Sequence, residues 1–368
     1  MSVELTGIAT ARPAGTMTQE QALELTVTRT QATPRRAGLL ERLYRRSTVR
    51  QRASVLIDAA SGDAPLDELK RYYPPASGAN GHGPTVAERM RRYEREALPL
   101  ALLAAERAID AAEVARADIA QIVTVSCTGF AAPGLDTRLI RRLDLQPTVG
   151  RSAIGFMGCH GAINGMRVAS ALAGAAPGSS VLLCAVELCT LHFHYDWDGG
   201  KAVANTLFAD GAAAAVLRDA PRDSRRGGTW RLRATGSCVL PDSGRDMGWR
   251  IGDHGFEMTL SSRVPTIIHA ELHAWLSGWL AEHGLTPEEV GSWAIHPGGP
   301  RVIDAVERTL DLSPQETAAS REVLADHGNM SSPTVFFILR LLSERKAPRP
   351  CVMLAFGPGL VVEAALLE

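Results

Sequence analysis

Five short runs of almost unbroken apolar residues limit what this chain can fold into: Ile119–Ser126, Val181–Glu187, Ala212–Leu217, Trp293–His296 and Cys351–Phe356. Each is short and lacks a polar residue at every second position, so each reads as a strand covered on both faces. Segments with helical spacing alternate with most of them, the longest running from Val86 to about Ala115. Strands covered on both faces need helices on both faces, and the pattern predicts α/β layers rather than a bundle or a sandwich. Residues 2–12 read as a further strand, and 17–60 as basic, partly amphipathic helices broken near Pro34. The stretch 72–85, rich in Pro, Gly and small polar residues, reads as a loop.

The pattern also repeats. Gly158-Cys159 opens GCHGAINGMRVASAL and leads to the strand at Val181; Gly328-Asn329 opens GNMSSPTVFFILRLL and leads to the strand at Cys351. Both offsets are 22 residues, 181 − 159 and 351 − 329. A duplicated fold leaves such an echo, with two helix N-termini meeting at the centre. The polar stretch 219–229 is the best boundary and divides the chain into halves at 1–220 and 221–368.

Composition narrows the function classes. With 45% apolar and 21% charged residues, 368 residues suffice for a large globular core. A formal net charge of -1 gives no electrostatic reason to expect nucleic acid or an acidic membrane as partner. No run approaches the roughly 18 apolar residues of a membrane span, and the N-terminus lacks the marks of a secretory signal. Six scattered cysteines without a C-x-x-C pair read as reduced thiols in the cytoplasm.

Three residues stand where chemistry is made. Cys159 lies among glycines in Gly155-Phe156-Met157-Gly158-Cys159-His160-Gly161, directly before a helix. Glycine permits a sharp turn and close ligand approach, and the positive end of a helix favours thiolate; the alternative is an inert core thiol. His296 ends a strand before Pro297-Gly298-Gly299-Pro300, at the strand edge where α/β sites form, unless it is a satisfied structural histidine. Asn329 either caps the following helix, which the local sequence favours, or donates an amide hydrogen bond to a developing oxyanion. Gly357-Pro358-Gly359 is no dinucleotide fingerprint, and no P-loop lysine is present. His192 and His194 with Cys184 and Cys189 invite a zinc reading, but C-x4-C inside a buried strand is not ligand spacing, so no metal is expected.

Together and in this order, GFMGCHGA, NTLFADGAAAAV, WAIHPGGPRVIDAVE, REVLADHGNMSSPTVFFIL and AFGPGLVVEAALL resemble the type III polyketide synthases, the chalcone-synthase-like members of the thiolase superfamily. The resemblance covers nearly the whole chain. It implies a thiolase-like duplicated αβαβα layered fold and a homodimer. It implies iterative decarboxylative condensation of malonyl-CoA onto an acyl-CoA starter, then cyclisation, with CoA thioesters as substrates and no further cofactor. By matching position, Cys159 is implied as nucleophile, His296 as its imidazole partner and Asn329 as amide donor. Phe208 matches the gate phenylalanine where CoA tunnel meets cavity, and Ser331, in the Asn329 motif, is counted with the substrate-binding residues. The basic segment Tyr44–Arg52 resembles the CoA-binding stretch, which implies that Arg46, Arg50 and Arg52 hold CoA phosphates.

The departures from the plant pattern resemble the bacterial branch. His160 follows the nucleophile where plants have Phe, and Met258 replaces a second gate phenylalanine. Cys127, Cys189 and His192 stand at cavity positions that are threonines in chalcone synthases, and Ala132 replaces a dimer-facing Met. Several bacterial members load fatty acyl-CoA and release alkylpyrones or alkylresorcinols. The adaptable Met258, the small Ala132 and the apolar walls therefore imply a fatty acyl starter. The alternatives are a malonyl-primed or aromatic-starter synthase, a single-condensation enzyme like ketoacyl synthase III or hydroxymethylglutaryl-CoA synthase, and a non-catalytic thiolase-fold binding protein. The hydroxymethylglutaryl type needs an acidic group near the cysteine, which the sequence does not locate.

Overall fold

The computed structural model describes residues 3–60, 65–77, 81–196, 199–219 and 229–368. The first half runs β1 (Val3–Ala11), β2 (Thr16–Thr18), α1 (Gln19–Arg29), α2 (Pro34–Arg46), β3 (Gln51–Ala53), α3 (Asp67–Tyr72), α4 (Val86–Ala112), β4 (Ile119–Ser126), α5 (Leu135–Arg142), β5 (Gly150–Gly155), α6 (Gly161–Ala175), β6 (Ser180–Leu188), α7 (Gly199–Leu207) and β7 (Asp210–Asp219). The second runs β8 (Trp230–Val239), β9 (Met247–Gly252), β10 (Gly255–Leu260), α8 (Val264–Ala281), β11 (Ser292–Ile295), α9 (Pro300–Leu310), α10 (Ala318–His327), α11 (Thr334–Glu344), β12 (Cys351–Gly357) and β13 (Val361–Leu367).

Nine strands pair in the order β11-β12-β13-β8-β1-β7-β6-β4-β5, while β2 with β3 and β9 with β10 form separate antiparallel pairs. β4 is parallel to both β5 and β6, and β11 to β12. The halves join where Val3–Leu5 of β1 pairs antiparallel with Trp230–Leu232 of β8.

Alternate residues of the buried strands enter different cores. Leu182, Cys184 and Val186 of β6 join an outer core with the alanine-rich face of α4, whereas Val181, Leu183 and Ala185 join a central core with α6 and α11. On β12, Met353 and Ala355 face that central core, and Val352 and Leu354 join a second outer core with α8 and α9. The layers are therefore helix, sheet, helices, sheet, helix, the αβαβα order. Neither face of these strands meets water, which is why they read as unbroken apolar runs. α4 starts at a reciprocal cap: Thr85 Oγ1 accepts from Glu88 N at 3.3 Å, and Glu88 Oε2 accepts from Thr85 N at 2.8 Å. A side chain at Gly7 of β1 would strike the backbone of α4 at Ala108 and Ala112, so glycine there sets the approach of helix to sheet.

Several sequence expectations need correction. α4 stops at Ala112, because Glu113 turns left-handed at φ 52. Helix does not extend through residues 47–60; after α2 the chain turns into β3. β5, β8, β9, β10 and β13 escaped the sequence. The first four alternate or expose one face and so lack a uniform apolar signal, and β13 follows β12 too closely to read as a separate run. The boundary placed at 219–229 falls almost wholly outside the described residues. No described helix is long and apolar enough to cross a membrane.

Candidate active site

The nucleophile turn follows β5. Phe156 and Gly158 take left-handed backbone at φ 58 and φ 75, which for Phe156 costs about 1–3 kcal/mol and must be held by its surroundings. Side chains at Gly158 and Gly357 would strike Pro358 and His160, so the Gly357-Pro358-Gly359 loop presses directly on the turn. Cys159 sits in one 3-10 turn, residues 158–160, which runs on into α6. His160 braces this turn. Its Nδ1 donates to Asn164 Oδ1 at 2.6 Å, and Asn164 Nδ2 donates to Glu363 Oε1 at 2.9 Å.

Asn329 is not a helix cap, contrary to what its local sequence favours. α11 begins at Thr334 with Pro333 at its N-cap, and Asn329 instead pairs its backbone with the chain around Phe208. Asn329 N donates to Leu207 O at 2.8 Å, and Ala209 N donates to Asn329 O at 2.9 Å. Its Oδ1 accepts from Ser331 N at 2.7 Å, which leaves the amide nitrogen as the end turned to Cys159. The side chains of Ser331 and Asn329 both stand beside the Cys159 thiol and act to lower its pKa. Ser331 is itself held at φ 55.

His296 extends β11, its N donating to Leu354 O at 2.7 Å. It is fully buried, and neither ring nitrogen has a hydrogen-bond partner among the described residues. Leaving such a group unsatisfied costs about 1–3 kcal/mol, a cost that a bound thioester oxygen would remove. Burial, helped by neighbouring His160, pushes His296 down to about 3. Burial also pushes the Cys159 thiol up to about 11, against the lowering effect of Ser331 and Asn329. Among the described residues no hydrogen bond joins His296 to Cys159. Desolvation acts against the charged form of either group and so opposes the helix end and imidazole that would favour a thiolate.

Cys127, Cys159, Cys189, Phe208, Met258 and Ser331 line one small cavity. Gly158 N donates to Cys127 Sγ at 3.0 Å, tying one wall to the nucleophile turn. Two of the expected substrate-binding residues do not line this cavity. Ala132 is exposed in the loop before α5, as a dimer-facing residue is in a single chain. His192 is a strut: its Nδ1 accepts from Phe256 N at 2.9 Å, so its Nε2 donates to Thr128 O at 2.7 Å, with the ring stacked on Phe256 at 4.3 Å. With both nitrogens engaged, it has no hydrogen bond to offer a starter.

Two contributors went unassigned in the sequence. Trp249 walls the cavity, its Nε1 donating to Cys127 O at 2.8 Å and its ring set edge-on to His192. Glu187 lies fully buried below, accepting from Cys127 N at 2.9 Å and from the hydroxyls of Thr128 and Ser332, both at 2.7 Å. Burial raises it to about 7. The signal for it was a glutamate ending an otherwise apolar strand. Its oxygens are taken up by the floor of the site, so this acid braces the nucleophile's surroundings.

The three arginines part company. Arg52 is buried at 3% exposure and spends its guanidinium on Gln19, Asn205, Thr206 and Phe208, so it is not available to a CoA phosphate. Arg50 is exposed and pairs with Asp326. Arg46 is exposed at the end of α2. No described group of three His, Cys, Asp or Glu is arranged to hold a metal ion, and Cys184 points to Ala101 O of α4.

Comparison with known proteins places these features in context. Residues 2–221 match the family model for the N-terminal domain of chalcone and stilbene synthases, and residues 231–368 match that for the C-terminal domain. A 1,3,6,8-tetrahydroxynaphthalene synthase of Streptomyces peucetius subsp. caesius is 39% identical over 276 residues, 74% of this chain and 73% of that protein. The alpha-pyrone synthesis polyketide synthase-like Pks18 of Mycobacterium tuberculosis is 30% identical over 367 residues, 98% of this chain and 90% of its own. In structure, PKS-I from the brown alga Ectocarpus siliculosus superposes with a TM-score of 0.91 at 32% identity, covering 100% of this chain and 98% of that one.

Proposed function

Because the chain belongs to the chalcone and stilbene synthase family, the type III polyketide synthases, it is an acyltransferase that condenses malonyl-CoA iteratively, and we propose that it does so at Cys159, His296 and Asn329. One observation carries this reading: Cys159 has Asn329 and Ser331 beside it, both acting to lower its pKa, while the fully buried His296 ring has no hydrogen-bond partner among the described residues. Residues 1–220 supply the nucleophile and 221–368 the other two groups. The Cys159 thiol gives its proton to His296 as sulfur attacks the starter thioester, and CoA leaves. Malonyl-CoA then loses carbon dioxide, and the enolate oxygen takes hydrogen bonds from His296 and the Asn329 amide. The enolate carbon attacks the acyl-Cys159 carbonyl, a carbon–carbon bond forms and the thiolate is released. The cycle requires CoA thioesters alone, without metal or redox cofactor, and the reduced thiols suit the cytoplasm.

The cavity favours a compact starter. Trp249 and Phe208 wall it, and the case for a fatty chain rests on Met258 within it and on Ala132 at the expected dimer face. A fatty starter giving an alkylpyrone or alkylresorcinol is the second reading, in keeping with the alpha-pyrone synthesis named for the mycobacterial relative. Product masses from acetyl-, hexanoyl-, lauroyl- and p-coumaroyl-CoA with malonyl-CoA, beside malonyl-CoA alone, decide between them. Turnover is expected to be greatest with malonyl-CoA alone or with acetyl-CoA. A steady climb with chain length, reflecting about 0.8 kcal/mol per methylene buried, would establish the fatty reading instead.

Arg46 is proposed to contact the CoA phosphates. Arg46→Glu is expected to raise KM for CoA thioesters about tenfold while leaving short pantetheine thioesters unchanged, since only CoA carries the 3′-phosphate. An equal rise for both would remove the assignment. We also propose a homodimer formed over the nucleophile turn, where Phe130 and Met157 are 46% and 41% exposed and Phe130 stacks on Phe156 at 5.3 Å. Light scattering is expected to give twice the chain mass of 39.3 kDa, and Phe130→Asp to halve it; a monomeric wild type refutes the dimer.

A further inference from the structure

A cleft of about 500 Å³ lies between α4, α10 and α11 where β1 ends, and no residue of the catalytic cavity lines it. Pro13, Val323 and Phe337 are buried at its floor. Three guanidiniums gather there around one residue. Arg107 Nη1 donates to Thr10 O at 3.1 Å, Arg340 Nη1 donates to Thr10 Oγ1 at 2.9 Å, and Arg12 follows two positions along the chain. Arg12 is exposed and has no hydrogen bond or ion pair with a described residue. Its charge is nonetheless felt across the cleft: burial and then Arg12 hold His327 below the ordinary histidine range.

The cleft also holds three carboxylates, and each is already matched. Glu344 accepts from Arg340 at 2.8 Å, Glu322 accepts from Arg345 at 2.6 Å, and Asp326 pairs with Arg50. Arg345 and Arg50 do not line the cleft, so two of its three acids are neutralised from outside. Arg12 and Arg107 are left with no described carboxylate at ion-pair distance, and both are open to solvent. Like charges held together in a concave site concentrate positive potential there and draw anions to it.

We propose that this cleft binds the phosphate group of a small ligand, held by Arg12 and Arg107 with Arg340 beside them. Guanidinium forks match phosphate oxygens. A tetrahedral dianion presents oxygens to cations approaching from β1, α4 and α11 together, whereas a carboxylate presents two in one plane. The volume leaves room over the floor for whatever the phosphate is attached to.

The test is calorimetric titration of the wild-type protein at low ionic strength, where screening is weak. Inorganic phosphate, ribose 5-phosphate and succinate are compared. Both phosphates are expected to bind at least about tenfold more tightly than succinate, the lower end of what a charge-assisted hydrogen bond contributes. Tighter binding of ribose 5-phosphate marks a phosphate monoester as the ligand, and equal binding marks phosphate itself. Arg12→Glu is expected to weaken both at least about tenfold, and to fold as the wild type does because the side chain is exposed and unpaired among the described residues. Arg46→Glu is expected to change neither. The proposal is overturned if neither phosphate binds, if succinate binds as well as they do, if binding survives Arg12→Glu, or if Arg46→Glu abolishes it and so assigns the phosphate to the CoA site.

Discussion

Replacing Cys159 with alanine is expected to end condensation, with turnover falling by up to about 10⁶-fold, the scale on which loss of a covalent nucleophile acts. The side chain is buried at 7% exposure and alanine removes only its sulfur, so the fold is expected to persist by circular dichroism. Intact mass after incubation with acyl-CoA should show an adduct on the wild type and none on the variant. Comparable polyketide output from the variant would displace Cys159 from its role. The wild-type thiol has its own signature. Burial holds it up to about 11, so the protonated form persists into alkaline solution and the thiolate fraction grows with pH. Alkylation of Cys159 by iodoacetamide in the substrate-free protein should therefore still be accelerating above pH 9. A rate already at its plateau by pH 7 would mean that a thiolate–imidazolium pair pre-exists.

Asn329 and His296 are expected to fail differently. Asn329→Asp keeps the oxygen that accepts from Ser331 N but loses the amide donor, so it tests the oxyanion role without loosening the Ser331 turn. Malonyl-CoA decarboxylation should drop by about a hundred- to a thousandfold, the usual cost of one oxyanion donor, while starter loading continues. His296→Gln retains a donor but cannot take the thiol proton. Loading and decarboxylation should both fall. Equal loss of both steps in the Asn329 variant would leave it a structural residue only, and undiminished loading in the His296 variant would remove its part in activating the thiol.

How much of this was legible beforehand depended on whether a signal was local. The unbroken apolar runs at β4, β6, β7, β11 and β12 announced strands because both faces of each enter a core. Strands with a wet face, such as β9 and β10, carried no comparable mark. The glycines around Cys159 were readable for the same reason: a left-handed residue and two close backbone approaches are demands made within a few residues.

By itself, then, the sequence determined the layered fold and the family, and it singled out Cys159, His296 and Asn329 as the groups proposed to react, because each signal is written in periodicity or in a contiguous motif. Only the tertiary structure decided which polar side chains are free to act. Arg52 looks like its neighbours Arg46 and Arg50 in sequence, yet its acceptors at Asn205 and Phe208 lie 153 and 156 residues away. His192 is taken by Thr128 and Phe256, each 64 residues distant, whereas the buried His296 ring has no hydrogen-bond partner among the described residues. A long polar side chain serves as strut or ligand group according to the acceptors that burial brings to it, and those come from segments whose meeting no local pattern records.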